Sequence, residues 1–465
     1  MSINKHVVLI VILISFVLRL IAIRDAPLEI SHNWRQSFTA MVARNFDKAE
    51  FLHPEVDMDG GRTVAMEFPV FSYLIHIFNT VFGYAHWYGR LINLIVSSVG
   101  LFYFFRFVRL LYTERLALFS TVVLTCSNYF AFSRKMMPDT FSISLVLIGV
   151  YYLANYVISI RHSLLELITG SIFICIGLLS KIPSITILAF LAPVLIDFKF
   201  KLKYRSMAVI FGIIPGLLFA YLWYGIMVPM QLQNGAMQLY YPVRLIDGFG
   251  LLAGNLSGVF EKFYFSAFFS YILFIFFLIG IILLIIKKEK SLTILFSASI
   301  VSFFFFMLVG SNFFYFHNYY IIPIVPAMAV ICGFALSNIS NRRPIVAILF
   351  LCVGLSEAIL NQQHGFFIPR SEMYKETLTG IVDKHVPLGM KVLINTGPNP
   401  QGLYFCNRKG WMLDEPLMIT RKLIKEKTNE NLVVIIDRHL KTTFDEMEFS
   451  IIFQNEDFEL LQLKE

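Results

Sequence analysis

The chain has 465 residues, of which 57% are hydrophobic and 15% charged, and its mean hydropathy is +0.69. A soluble globular protein cannot hide that much apolar surface, so lipid must be the solvent for most of it. The net charge of +8 does not mark a nucleic-acid binder, because Lys and Arg sit in short clusters between apolar runs, and the five cysteines show neither a disulfide framework nor metal spacing.

The first apolar run, His6 to Ile23, is followed by no A-x-A-like cleavage site and reads as a retained span. A long polar loop, 24–88, comes next and opens with SHNWRQSFTAMVARNF. There Trp34, Phe38, Met41, Val42 and Phe46 recur at helical spacing. Asn33 is placed to cap, and Gln36 sits at the third helical position, as in a capping box. The stretch predicts an amphipathic helix lying on the outer membrane surface, its apolar face against lipid or the bundle. Arg35, Gln36 and Thr39 then lie near its N-terminal end on the other side. A helix N-terminus with an Arg beside it suits an anion such as phosphate. An interfacial anchor built from Trp34 and Arg35 accounts for the same residues equally well. Farther on, 68–82 is apolar but covers only about 22 Å, short of the hydrocarbon core, with Pro69 suited to a first turn and Gly83 to a stop.

Eleven candidate spans follow from the apolar runs: 6–23, 89–110, 115–133, 140–158, 164–180, 182–198, 206–228, 264–286, 291–310, 318–338 and 344–361. If the N-terminus is cytoplasmic and 68–82 does not cross, the basic clusters all fall inside. These are Lys5, Arg106, Arg109, Arg115, Arg161, Lys199, Lys201, Lys203, Arg205, Lys287, Lys288, Lys290, Arg342 and Arg343. Only Arg134, Lys135 and Lys181 remain in short outer loops. Counting 68–82 as a span reverses every later cluster, so it reads as an interfacial or re-entrant helix. Past 361 the composition changes. KVLIN and NLVVIID read as strands, and FSIIFQNEDFELLQL as a hairpin around Asn455, Glu456 and Asp457. The expected fold is therefore an all-α polytopic membrane domain over 1–361 and a small soluble α/β domain over 362–465 on the outer side. No internal repeat is evident, which weakens a secondary-transporter reading.

Ionisable residues gather at the outer boundary: Glu67 in MEFPV, Asp139 beside Arg134 and Lys135 in SRKMMPDTF, Lys181 in GLLSKIPS, and His317 in FFYFHNYYIIPIVP near Tyr320. Snorkelling accounts for any one of them. Several such sets on one face suit one chemistry, in which a carboxylate takes the proton of an acceptor hydroxyl and cations stabilise a departing lipid phosphate.

These residues resemble the GT-C superfamily of membrane glycosyltransferases, near the protein O-mannosyltransferases and the lipid A aminoarabinose transferase. The resemblance covers roughly residues 1–340. HNWRQSFTAMVARNF, EFPVFSYLIHIFNTVFG and GRLINLI are similar to a bacterial branch marked by His-x-Trp-Arg-Gln, RKMMPD resembles the family's Arg-rich turn ending in Asp, and GLLSKIPS its Gly-Leu-x-x-x-Lys segment. LYFCNRKGWM in the tail resembles the same branch. The resemblance implies a bacterial inner-membrane enzyme with a periplasmic C-terminal domain. It would take a sugar from a polyprenyl-phosphate donor and pass it to a glycan, lipid or protein hydroxyl of the envelope, lipopolysaccharide included. Better-known relatives carry an Asp-Glu pair where this chain reads His32-Asn33-Trp34-Arg35, so the catalytic candidates are Glu67, Asp139 and His32. Arg35, Lys181, Arg134 and Lys135 are the donor-phosphate candidates, and Trp34, Gln36, His317 and Tyr320 the cavity candidates. Asp57 and Asp59 form a weak divalent-metal pattern, a solvated loop being the simpler account. A lipid-linked glycan polymerase or ligase, and more remotely a flippase, are the alternative functions.

Overall fold

The computed structural model describes residues 5–464 apart from 31, 48, 161–162, 197–202 and 415–417, so Arg161, Lys199 and Lys201 of the charge pattern lie outside the described residues. Helix α1 spans Lys5–Arg19, α2 Asn33–Asn45, α3 Val70–Phe82, α4 Tyr88–Leu111, α5 Glu114–Thr125, α6 Asn128–Ala131, α7 Pro138–Ile158 and α8 Leu164–Ser180. Among the described residues, six helices are long and apolar enough to cross a membrane, or eight if each of two bent pairs counts once. The bent pairs are Glu114–Thr125 with Asn128–Arg134, at 49°, and Leu256–Ser266 with Tyr271–Lys287, at 94°.

The other three expected spans are shorter helices: His6–Arg19, Leu164–Ser180 and Ile182–Ile196. An apolar run in sequence includes turn residues that add no length along the axis, as Leu20 to Arg24 do after α1. The segment Ile182–Leu191 is wound as a 3-10 helix. Its rise of about 2 Å per residue stretches ten residues to roughly 20 Å. Helix α3 has 13 residues and is too short to cross by itself.

Helices α7 and α8 form an antiparallel pair whose backbones touch. A Cβ on Gly149 would meet the Gly170 carbonyl at 2.7 Å, and one on Gly170 would meet the Gly149 carbonyl at 3.0 Å. Small residues permit this approach in lipid, where packing rather than the hydrophobic effect joins helices. The pairing puts the first turn of α7 and the last turn of α8 at one end of the bundle.

The described residues form three sheets, a small one in the first loop and, in the C-terminal region, a main sheet and a two-stranded pair of Met418–Ile419 with Thr443–Phe444. The first has the order β1 (Glu55–Val56), β2 (Arg62–Ala65), β3 (Met237–Gln238), with β2 and β3 parallel. The C-terminal region supplies β4 (Lys391–Ile394), β5 (Gly410–Met412), β6 (Met418–Ile419), β7 (Leu432–Asp437), β8 (Thr443–Phe444), β9 (Phe449–Gln454) and β10 (Phe458–Leu463). Its main sheet has the order β5-β4-β7-β10-β9, with β4 parallel to β5 and β7 and the last three strands antiparallel. The strands expected from KVLIN and NLVVIID are β4 and β7, and the expected hairpin is β9–β10. All six residues of β7 are buried, as a central strand covered on both faces requires.

Helix α2 corrects one expectation. It does not lie on a lipid surface, for ten of its thirteen residues are buried. Phe38, Val42 and Phe46 pack on Val56 and Val64 of the first sheet and on Met66 just after it. Ala40, Met41 and Ala43 join a cluster with Leu403, Tyr404 and Phe405 from the C-terminal region. Arg44 pairs with Asp57 and lies 5.5 Å over the Tyr404 ring, and the Tyr404 hydroxyl meets Tyr84 at 2.6 Å and His86 Nδ1 at 2.5 Å. Local periodicity could not reveal that a segment some 360 residues away covers this helix.

Candidate active site

The cap of α2 differs from the expected capping box. His32 holds the N-cap position in a left-handed conformation, φ 58°, with no side-chain cap bond. Asn33 Oδ1 accepts from Trp34 N at 2.7 Å. Such a φ is uncommon outside glycine, and neighbours must hold it. Here His32 Nε2 lies 3.0 Å from Asn318 Oδ1, and its ring meets those of Tyr319 at 4.8 Å and His317 at 5.3 Å. Burial pulls the His32 pKa down to about 3, which the Asn318 contact only partly offsets, so the ring is neutral and a weak proton acceptor.

Register places the next group. Parallel pairing sets Val64 opposite Met237 and Ala65 opposite Gln238. Continuing it by two residues sets Glu67 opposite Tyr240. The Glu67 segment is pinned from behind, since Trp223 donates to the Met66 carbonyl at 3.0 Å and Phe68 N donates to the Leu179 carbonyl at 3.2 Å. Trp223 belongs to a π-helical stretch, Tyr221–Met227, of the kind that often marks functional sites. Arg35 then pairs with one Glu67 oxygen, and the Tyr240 hydroxyl donates to the other. Burial raises the Glu67 carboxyl, but Arg35 and Lys181 outweigh it and hold it below the usual carboxylate range. Burial, and then Glu67, push the Tyr240 phenol well up, so it stays a donor.

Asp139 and Lys181 come from the α7–α8 pair. Asp139 follows Pro138 in the first turn of α7, where a carboxylate complements the helix dipole. Lys181 ends α8 in an extended conformation before the 3-10 turn begins. Its Nζ lies 2.9 Å from the Tyr240 hydroxyl and 3.6 Å from Asp139 Oδ1. Glu67, Arg35, Tyr240, Lys181 and Asp139 thus form one continuous chain. Two of its atoms are buried with no hydrogen-bond partner among the described residues, Arg35 Nη1 and Asp139 Oδ2. An orphaned donor and an orphaned acceptor within one polar chain are unfavourable unless a ligand meets them.

A cavity of about 370 Å³ opens on this chain, lined by Asp139, Lys181, Tyr240, Tyr319 and Tyr320, by Gln238 and Asn312, and for the most part by apolar groups such as Val228, Leu232 and Phe306. A second cavity, of about 550 Å³, is lined by His32, Trp34, Arg134, Lys135, Lys262 and His317 among others. The segment 317–320 stands between them.

The site residues proposed from sequence therefore divide. Arg35, Glu67, Asp139 and Lys181 meet. Tyr320 lines the smaller cavity, and His32, Trp34 and His317 the larger. Arg134 and Lys135 line the larger cavity, apart from Lys181. Gln36 does not reach either cavity and is corrected to a structural role. It is fully buried, donates to Glu29 at 2.9 Å, and accepts from Arg90 at 3.0 Å and from Met136 N at 3.2 Å. Glu29 also binds Arg90 at 2.7 Å and Lys135 at 2.8 Å. Asp57 is engaged by Arg44 and Asn45, and no group of three or more potential metal ligands occurs among the described residues. Sequence reasoning missed Tyr240, Asn318 and Arg90. Only the β2–β3 pairing, between segments about 170 residues apart, distinguishes Tyr240 from its neighbour Tyr241.

Comparison with known proteins bears on the fold. Residues 66–224 match the family described as dolichyl-phosphate-mannose-protein mannosyltransferase. The fold matches ArnT from Cupriavidus metallidurans at a TM-score of 0.57 and 10% identity, over 98% of this chain and 97% of that one. It matches the oligosaccharyltransferase AglB from Archaeoglobus fulgidus at 0.55 and 13%, over 93% and 70%. A third match is the arabinofuranosyltransferase AftD from Mycobacteria, at 0.57 and 11%, over 99% and 42%. No curated protein matches in sequence. Over residues 66–224 the chain is thus similar to that mannosyltransferase family, and the class its fold defines is that of multi-span membrane proteins built like ArnT.

Proposed function

We propose that the protein transfers a sugar from a polyprenyl-phosphate donor to a hydroxyl of a cell-envelope glycan, lipid or protein, at the outer face of a bacterial inner membrane. The observation that carries this reading is the pair of unpartnered buried atoms, Arg35 Nη1 and Asp139 Oδ2, beside a largely apolar cavity. The apolar walls suit an isoprenoid chain. Lys181 at the cavity's polar end, with Arg35 behind it across Tyr240, suits its phosphate, and the free Asp139 oxygen suits the proton of the attacking hydroxyl. Glu67, already held by Arg35 and Tyr240, orients the guanidinium. The ArnT structure holds undecaprenyl phosphate and the AglB structure dolichol-phosphate, which supports a lipid-phosphate donor for this fold. The basic residues between the expected spans support an outward-facing site, and with it a transmembrane unit over 1–361 and a periplasmic one over 362–465.

The test is incubation of purified protein in nanodiscs with a panel of polyprenyl-phosphate sugars and envelope fractions, followed by mass analysis. A mass increment of one sugar on an acceptor, abolished by Asp139→Asn, is expected. Absence of transfer from every lipid monophosphate donor, with transfer from lipid diphosphate oligosaccharides instead, would replace this reading with a polymerase or ligase.

A further inference from the structure

The larger cavity carries an electrostatic imbalance. Its charged lining groups are Arg19, Arg134, Lys135 and Lys262 against one carboxylate, Glu261. Glu261 is taken by Lys262 at 2.8 Å. Lys135 shares Glu29, behind the wall, with Arg90. Arg19 and Arg134 hydrogen-bond only to neutral groups, although Glu29 and Asp25 act on Arg134 from behind the wall. Arg19 donates to Gln362 at 2.6 Å and stacks over the Phe130 and Phe366 rings at 5.7 and 5.2 Å. Arg134 donates to the carbonyls of Arg19, Gly365 and Ile21 at 3.3, 2.8 and 2.6 Å and lies 4.2 Å over Phe366. Both are buried, at 5% and 2% exposure, and neither is in an ion pair among the described residues.

Arginine does not lose its proton in proteins, so these two charges cannot neutralise themselves. Holding two charges at so little exposure without an ion pair is unfavourable. Backbone carbonyls satisfy the Arg134 hydrogen bonds but not its charge. A ligand anion would do so. The donor's single phosphate is assigned above to the apolar cavity, which Lys181 lines on the other side of segment 317–320. The larger cavity has Ile30 and Phe316 exposed at its rim, so it opens to the surroundings.

We propose that this cavity is the acceptor chamber and that it takes an acceptor bearing an anionic group, a carboxylate or a phosphate. The anion sits toward Arg134 and Lys262, and the reacting hydroxyl faces the His32–His317 partition, beyond which lie Lys181 and Asp139. This assignment rests on the glycosyltransferase reading above and adds the acceptor's charge class.

The test is a binding measurement, independent of turnover. Full-length protein in nanodiscs is dialysed against radiolabelled glucose 6-phosphate, glucuronate or glucose, and polyprenyl-phosphate binding is measured alongside. At least one anionic probe is expected to bind tenfold or more tightly than glucose. Arg134→Gln and Lys262→Gln should each reduce that preference about tenfold, the effect of one charge-assisted hydrogen bond, and leave polyprenyl-phosphate affinity unchanged. Preference for phosphate or for carboxylate assigns the anion. Should Arg134→Gln fail to fold, because it caps three carbonyls, Lys262→Gln decides alone. Equal binding of all three probes, no measurable binding of either anion, or an unaltered preference in Lys262→Gln overturns the proposal. So does loss of polyprenyl-phosphate binding in either variant, which would give the cavity to the donor. Failure of the transfer assay with intact anion preference would remove the transferase reading and leave the anion site standing.

Discussion

Replacing Arg35 by Lys separates a substrate contact from a membrane anchor. The guanidinium is 2% exposed, its Nη2 is committed to Glu67 and Tyr240, and its Nη1 is unpartnered. A Lys ammonium keeps the charge opposite Glu67 but is a single point on a flexible stem. It cannot hold Glu67 and also present a second donor in the direction of Nη1. One charge-assisted hydrogen bond to the donor phosphate is lost, worth about 1.5–3 kcal/mol, or roughly 10–150-fold in affinity. Arg35→Lys should therefore express and fold as wild type, bind polyprenyl phosphate more weakly by that factor, and lose kcat/KM in proportion. The assay is titration of donor lipid in nanodiscs, with transfer rates and a melting curve on the same preparation. A correctly folded variant within twofold of wild type in both donor affinity and kcat/KM would refute the reasoning and leave Arg35 as an anchor.

Asp139→Asn should lower the single-turnover rate by roughly 10²–10⁴-fold with donor binding intact, as removal of a general base does. If Glu67→Gln instead shows that pattern and Asp139→Asn does not, the base is Glu67. Glu29 is held down to about 2 because Arg90 and Lys135 outweigh burial, so its contribution is complete above pH 4.5 and disappears as pH falls toward 2. That shift corresponds to roughly 3 kcal/mol. Glu29→Gln should melt several degrees below wild type at neutral pH, and the gap should narrow below about pH 4.5 and close only near pH 2; a gap that does not vary with pH would argue against the ion cluster. Gly149→Leu drives a side chain into the Gly170 carbonyl and should abolish recovery of folded protein by size-exclusion chromatography, whereas Gly83→Ala, with nothing within 4 Å of its Cβ but a φ of 81°, should be recovered with modest loss of stability. Reporter fusions at Lys288 and at the C-terminus should report opposite sides of the membrane, and matching sides would reject the proposed topology.

Composition and periodicity alone determined that the chain is a multi-span membrane protein with a compact C-terminal appendage, because both are local properties. The strand identities of 391–394 and 432–437 and the hairpin at Asn455 were legible for the same reason. The polar residues that matter were also legible as types in place: Arg35, Glu67, Asp139 and Lys181 stand out as ionisable groups beside apolar runs. Their grouping was not. Tertiary structure joined those four through Tyr240, which entered by parallel pairing of two short strands far apart in the chain. It also sent Arg134 and Lys135 to a different cavity from Lys181, and turned Gln36 from a cap into the hub between Glu29 and Arg90. The helix read as a surface element became a buried one for the same reason, since the short helix Gln401–Cys406 that covers it lies at the other end of the chain. Side-chain chemistry is written residue by residue, but which charges share a cavity depends on long-range pairings that no window of sequence contains.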